Sequence, residues 1–373
     1  MKKIGILTLP LTSRNYGGIL QAYALSSYIK KRGFYVEVLD RRFNRSFKTR
    51  LIQSINSLFS KDYVSTHNGY YRHVDQFVEK YISRSRTFYN KSDLDRYIHD
   101  FDVLITGSDQ VWRPLYSKSI LPELFLDFTK KPEQKKISYA ASFGTDTWEN
   151  PELNVIVSKY LSDFDGISVR EDSGVGICRD VLGIESAEHH IDPTLLLEPY
   201  EYSKLFQKET NNHYQDTASA LVTYVLDRSD KKRIFIESVG KFFGNKICPI
   251  GVKEKISREN YHQFVGKQCD SVEQWLSGIA NSDFVVTDSF HGVVFSILFE
   301  KNFIAIGNKE RGLGRFNSLL KLFGLEKRLV ALEDAVDIEE IVKNPINYYE
   351  VRRILEFERA KSMGYFDKFF KSY

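Results

Sequence analysis

The order of elements between Lys3 and Leu39 constrains the fold more than any other feature. Lys3–Leu9 reads as an apolar strand and Asn15-Tyr16-Gly17-Gly18 as a turn. Ile19 to Arg32 reads as a largely apolar helix, with Lys30, Lys31 and Arg32 suited to its last turn and Gly33 to its stop. Tyr35–Leu39 is the second strand. A strand, helix and strand in so short a span make a right-handed βαβ unit, which commits the chain to a parallel sheet.

The pattern recurs. Asp102–Thr106, Lys136–Ala141 and Gly166–Arg170 read as further strands, and His190-Ile191-Asp192-Pro193-Thr194 closes this half. Residues 198–218 are polar and weakly periodic, as expected of a linker. A second set follows, with strands at Ala220–Leu226, Asp283–Thr287 and Phe303–Ile306 and helices near 231–242, 272–280 and 314–323. The expected fold class is α/β, with two Rossmann-like domains at 1–200 and 215–345. A long helix over 348–373 is expected to pack back on the first domain.

Lys plus Arg total 53 against 49 Asp plus Glu, a net charge of +4, too small for a nucleic-acid binder. Three cysteines, Cys178, Cys248 and Cys269, fit neither a zinc pattern nor a disulfide scaffold and agree with a reducing cytoplasm. The apolar start is too soon broken for a signal peptide, and no run of apolar residues is long enough to span a bilayer. Residues 41–60 hold no acid but carry Arg41, Arg42, Arg45, Lys48 and Arg50 among Phe43, Phe47, Leu51, Ile52, Ile55, Leu58 and Phe59. Such a stretch suits peripheral contact with the inner face of a membrane, or a solvated helix with one buried face.

Ligands of open parallel sheets bind beyond the carboxyl ends of the strands, which selects four loops. Gly17 and Gly18 open the first helix, where free N–H groups favour an anion or where the pair serves only a tight turn for packing; neither the dinucleotide fingerprint nor the phosphate loop is present. In Gly107-Ser108-Asp109-Gln110-Val111-Trp112, Ser108, Asp109 and Gln110 suit hydrogen bonds to a polyol and Trp112 suits ring stacking; a capped turn and a core indole are the plain alternative. Arg170 can grip a carboxylate or phosphate, or pair with Glu171 or Asp172. His291 follows a strand in Asp288-Ser289-Phe290-His291-Gly292, where an imidazole at a helix start can move a proton onto or off a bound anion; a purely structural histidine in the turn is the plain alternative. His189 and His190 are adjacent on a strand, so they point to opposite faces and do not chelate one metal. Lys309, Arg311 and Arg315 cluster after Phe303–Ile306 and suit a multiply charged anion.

Taken in order, these pieces resemble the polysaccharide pyruvyl transferase family. The match rests on Asn15-Tyr16-Gly17-Gly18 with Gln21-Ala22-Tyr23-Ala24-Leu25, on Gly107–Trp112, and on Ser168-Val169-Arg170-Glu171. Asp192-Pro193-Thr194 and Thr287-Asp288-Ser289-Phe290-His291-Gly292 complete it. The resemblance implies a GT-B-like pair of domains with a cleft between them. It implies transfer of the enolpyruvyl group of phosphoenolpyruvate onto a galactose- or mannose-type hexose of a surface-polysaccharide or capsule precursor, free or lipid-linked, as a pyruvate ketal. No metal or redox cofactor is implied. His291 matches the family's donor-site histidine and would protonate the donor; Arg170 would hold one of its anionic groups; Asp109 is the candidate base. Asn15, Gly17, Gly18, Ser108, Gln110, Trp112 and Ser289 complete the expected substrate contacts. Relatives often carry arginine two places before the histidine, where this chain has Ser289, so Lys309, Arg311 or Arg315 is expected to supply the cation. That departure also favours the alternative, a nucleotide-sugar glycosyltransferase on the same architecture. A non-enzymatic glycan-binding subunit is the third reading.

Overall fold

A computed structural model describes residues 1–43, 61–128, 131–207, 220–252, 256–257, 259–307 and 312–370. Residues 44–60 of the basic stretch lie outside the described residues, as do Lys309 and Arg311. Two of the stretch's cations do not face solvent freely: Arg41 is buried on Glu123, and Arg42 pairs with Asp40.

The first half builds a parallel sheet in the order β2-β1-β3-β4, from β1 (Lys3–Leu7), β2 (Tyr35–Val38), β3 (Val103–Thr106) and β4 (Lys135–Ser138). The pair β5 (Ile167–Val169) and β6 (Ala187–His189) continues it through bridges from Ile137 to Gly166 and Ala141 to Val169. The second half builds a parallel sheet in the order β11-β10-β9-β7-β8, from β7 (Leu221–Tyr224), β8 (Ile247–Pro249), β9 (Phe284–Thr287), β10 (Asn302–Ile306) and β11 (Leu329–Val330). The central strands read as unbroken apolar runs, Val103-Leu104-Ile105 and Phe284-Val285-Val286, because helices cover both sheet faces and leave no wet side.

Strand order reverses between β1 and β3 in one lobe and between β7 and β9 in the other. Each reversal opens a crevice at the carboxyl ends of its strands. The loops that matter are therefore 8–18 and 107–113 in the first lobe and 225–228 and 288–292 in the second.

Helix α1 (Tyr16–Lys31) begins three residues earlier than its apolar pattern suggests, because the Asn15 side chain accepts a hydrogen bond from the Gly18 amide at 3.0 Å and caps it. Residues 199–206, expected as linker, form a helix: Pro199 opens it, and the Glu201 carboxylate accepts from the Glu198 amide at 3.0 Å. The second lobe supplies α2 (Val272–Ala280), α3 (Phe290–Leu298) and α4 (Gly314–Phe323).

Helix α5 (Tyr348–Phe370) runs across both lobes. At its start the Tyr348 hydroxyl donates to the Ser296 and Lys301 carbonyls of the second lobe. Toward its end Tyr365 donates to the Ser138 carbonyl at 2.8 Å, and Phe366 packs on Tyr139 and Tyr28 of the first. One apolar core runs through both lobes, joined where Tyr16 of α1 stacks on Trp275 of α2 at 5.7 Å. The cleft between the lobes is thus walled by a continuous packed interior.

Candidate active site

The two crevices meet in one cleft of about 750 Å³, walled by both lobes. Asn15, Gly18, Asp109 and Gln110 reach it from the first lobe, and Ser289, Phe290, His291 and Arg315 from the second.

His291 lies in the first turn of α3, which the Ser289 side chain caps by accepting from the Gly292 amide. Its ring rests on Gly17: a Cβ placed on that glycine would come within 2.0 Å of His291 Nδ1. Glycine is needed there for close approach of the imidazole to the start of α1. The other ring nitrogen, Nε2, lies 3.5 Å from Asp192 Oδ2.

Asp192 is the hub beneath the cleft. Its Oδ1 accepts from the Thr194 amide at 3.0 Å and hydroxyl at 2.7 Å. Its Oδ2 accepts from Arg170 Nη1 at 2.8 Å and from the Ser108 hydroxyl at 3.1 Å. Burial alone would raise this carboxyl, but His291, Arg170 and the Thr194 amide hold it well below the usual range, so it stays ionised. In the sequence, Asp192-Pro193-Thr194 stands out only as a short motif. The Asp-Pro step marks a turn, and nothing in it announces the imidazole and the guanidinium that converge on the carboxylate.

Asp109 projects from the end of β3 with φ of 73°, a left-handed backbone held by amides of Val111 and Ser142 on its carbonyl. That twist turns the side chain toward Gly18, with Oδ2 3.5 Å from where a Cβ would stand, so the carboxylate sits beside the start of α1. Arg315, in the first turn of α4, is buried at the cleft wall. Burial, then Arg170 beside it, push its guanidinium down to about 10, against the opposing pull of Asp109 and Glu171; it remains a cation at neutral pH. Gly312 brings it there. A Cβ on Gly312 would come within 1.9 Å of the Gly144 carbonyl, so the loop of the second lobe crosses that of the first at backbone contact.

Three expectations are corrected. Trp112 does not face the cleft: it is fully buried, stacks on Phe125 at 5.1 Å, and donates to the Leu124 carbonyl. Ser108 is likewise buried and spends its hydroxyl on Asp192. Arg170 stands behind the cleft wall, with Asp192 and Glu171, the latter at 3.1 Å, as the carboxylates it grips. Burial works against its charge, but Glu171, Asp192 and Asp109 raise its pKa and keep it cationic. The sequence shows which residue types a loop holds but not which of them turn inward. Contributors to the cleft that the reading missed include Thr12, Ser13, Tyr116, Lys118 and Gln21. His189 and His190 turn to separate partners, the Arg170 carbonyl and the Ser168 hydroxyl. Among the described residues no three His, Cys, Asp or Glu side chains gather as a metal set.

The sequence model for polysaccharide pyruvyl transferases matches residues 15–310, well over half of the chain. The chain belongs to the polysaccharide pyruvyl transferase family. It is a transferase enzyme, and the match spans the cleft loops from Asn15 to His291. No curated protein gives a significant match. Among solved structures, the transferase is similar to UDP-GlcNAc 2-epimerase from Neisseria meningitidis bound to UDP-GlcNAc. Identity is 9%, the alignment covers 98% of this chain and 100% of that one, and the TM-score is 0.52. It is similar also to the Methanocaldococcus jannaschii UDP-GlcNAc 2-epimerase in complex with UDP-GlcNAc and UDP, at 12% identity, 96% and 99% coverage and a TM-score of 0.53. At such identities the likeness is one of fold, the GT-B arrangement of two Rossmann-like lobes. No described helix of the transferase is long and apolar enough to cross a membrane.

Proposed function

We propose that the cleft transfers the enolpyruvyl group of phosphoenolpyruvate to a hexose of a surface-polysaccharide precursor, forming a ketal across two hydroxyls. The observation that carries this reading is the placement of His291. An imidazole on a helix start, backed by an ionised carboxylate and flanked by a buried guanidinium, suits proton delivery to an anionic alkene.

Arg315 supplies the cation that Ser289 does not, and the amides opening α1 and α3 add partial positive charge for the donor's phosphate and carboxylate. Protonated His291 gives its proton to the methylene carbon, and C2 becomes oxocarbenium-like. The Asp192 carboxylate stabilises the charged imidazole before that step and orients it throughout. Asp109 takes the proton of the attacking hydroxyl as it bonds to C2. Phosphate then leaves, and the second hydroxyl closes the ketal. Of the two hydroxyl protons, one replaces that lost to the methyl group and the other departs with phosphate, so the transfer balances with no oxidant or reductant.

Leu9, Leu11, Phe43 and Leu115 also line the cleft, Leu115 60% exposed. These apolar side chains suit the lipid part of a lipid-linked acceptor. Incubation with phosphoenolpyruvate and a panel of galactosides and mannosides, free and prenyl-diphosphate-linked, is expected to release phosphate and add one pyruvate ketal to one acceptor by mass spectrometry. Stabilisation of the protein by UDP or GDP and not by phosphoenolpyruvate would overturn the reading.

A further inference from the structure

Phe290 precedes His291 and lines the cleft, yet a phenyl ring has no part in moving a proton. Its surroundings give it another. The Arg170 guanidinium lies over its ring, 4.3 Å from the centroid, and the Arg315 guanidinium lies over it at 5.7 Å. Both arginines are almost wholly buried, at 4% and 6% exposure, and they come from different lobes. Two desolvated like charges repel, and the downward push of Arg170 on Arg315 records that repulsion. The electron-rich face of an aromatic ring attracts each guanidinium, most strongly where water is excluded. The Phe290 ring also meets the imidazole of His291 at 5.3 Å, edge to face. One ring therefore touches both cations and the imidazole.

We propose that Phe290 is a positioning residue of the donor site, whose ring lies between Arg170 behind the wall and Arg315 at it, and so holds Arg315 at the cleft wall to meet the phosphate or carboxylate of an anionic donor. This rests on the reading of the cleft as the phosphoenolpyruvate site. An aliphatic side chain of similar bulk fills the space but removes the face that attracts both guanidinium groups, leaving their mutual repulsion less compensated. Arg315 then turns away from the wall, and the donor loses its nearest cation.

Calorimetric titration with inorganic phosphate and with phosphoenolpyruvate separates the roles, using wild type, Phe290→Leu, Phe290→Tyr and Arg315→Lys. Phosphate affinity is expected to fall about tenfold in Phe290→Leu, as loss of a desolvated cation–π contact implies, and to return with the ring in Phe290→Tyr. Arg315→Lys keeps the charge without the flat stacking group and is expected to show the same fall, with no further loss in the double variant. In turnover, KM for phosphoenolpyruvate rises while kcat and the acceptor KM change little. Phosphate binding in Phe290→Leu equal to wild type, equal loss in the leucine and tyrosine variants, or no phosphate binding by wild type would each overturn the proposal. Ring-dependent phosphate binding without pyruvyl transfer would sustain the positioning role of Phe290 and remove the phosphoenolpyruvate reading instead.

Discussion

His291→Ala is expected to lower kcat for pyruvyl transfer by roughly a hundred- to ten-thousand-fold, the usual range for a general acid, with little change in thermal stability. The side chain lines the cleft, and its loss leaves the Asp192 carboxylate held by Arg170, Ser108 and Thr194. Gly17→Ala reaches the same end from the other side, since its methyl group would occupy the place of His291 Nδ1 and drive the imidazole off the start of α1. Steady-state kinetics with melting curves checks both. A His291→Ala enzyme within threefold of wild type would remove the histidine from the mechanism.

The second large effect is on stability. Asp192→Ala is expected to cost about 3–5 kcal/mol by chemical denaturation, the typical penalty for stripping one partner from a buried ion pair. The Asp192 side chain is fully buried, and Arg170, 2% exposed at its side chain, would keep Glu171 at 3.1 Å and Asp109 at 3.9 Å but lose its 2.8 Å partner. The pH dependence follows from the direction of the shift. Because the folded carboxyl titrates below its unfolded value of about 3.9, the unfolded chain takes up the proton first as pH falls. The contribution of Asp192 is therefore complete above that range and is lost as pH descends toward the folded value. Wild type should lose stability more steeply than Asp192→Asn below about pH 4. Parallel acid limbs for the two proteins would show that this carboxylate is not the ionised hub.

Much of this architecture is legible in the sequence, and the legible part follows from burial. Parallel strands covered on both faces must be apolar throughout, so β1, β3, β9 and β10 stand out. Their carboxyl ends then mark the loops that hold Asp109 and His291. Short strands away from the sheet centres escape notice: β6 is Ala187-Glu188-His189, and β8 ends on Pro249. Within loops the limit is orientation. Trp112 and Asp109 share one turn, yet the left-handed backbone at Asp109 sends its carboxylate to the cleft while Trp112 goes to the core. Arg170 was recognisable as a charge on a strand end, but its partner Asp192 is distant in sequence and adjacent only across the β5–β6 pair. The Phe290 contacts join residues from both lobes and have no local signature at all.

Transfer carried out in deuterium oxide tests the proton step that places His291 at the centre of the reaction. If an exchangeable side chain protonates the methylene carbon of phosphoenolpyruvate, the methyl group of the product ketal carries one deuterium, and His291→Ala forms that product far more slowly. A ketal methyl group free of deuterium, or transfer of a sugar from a nucleotide donor in its place, would contradict the account.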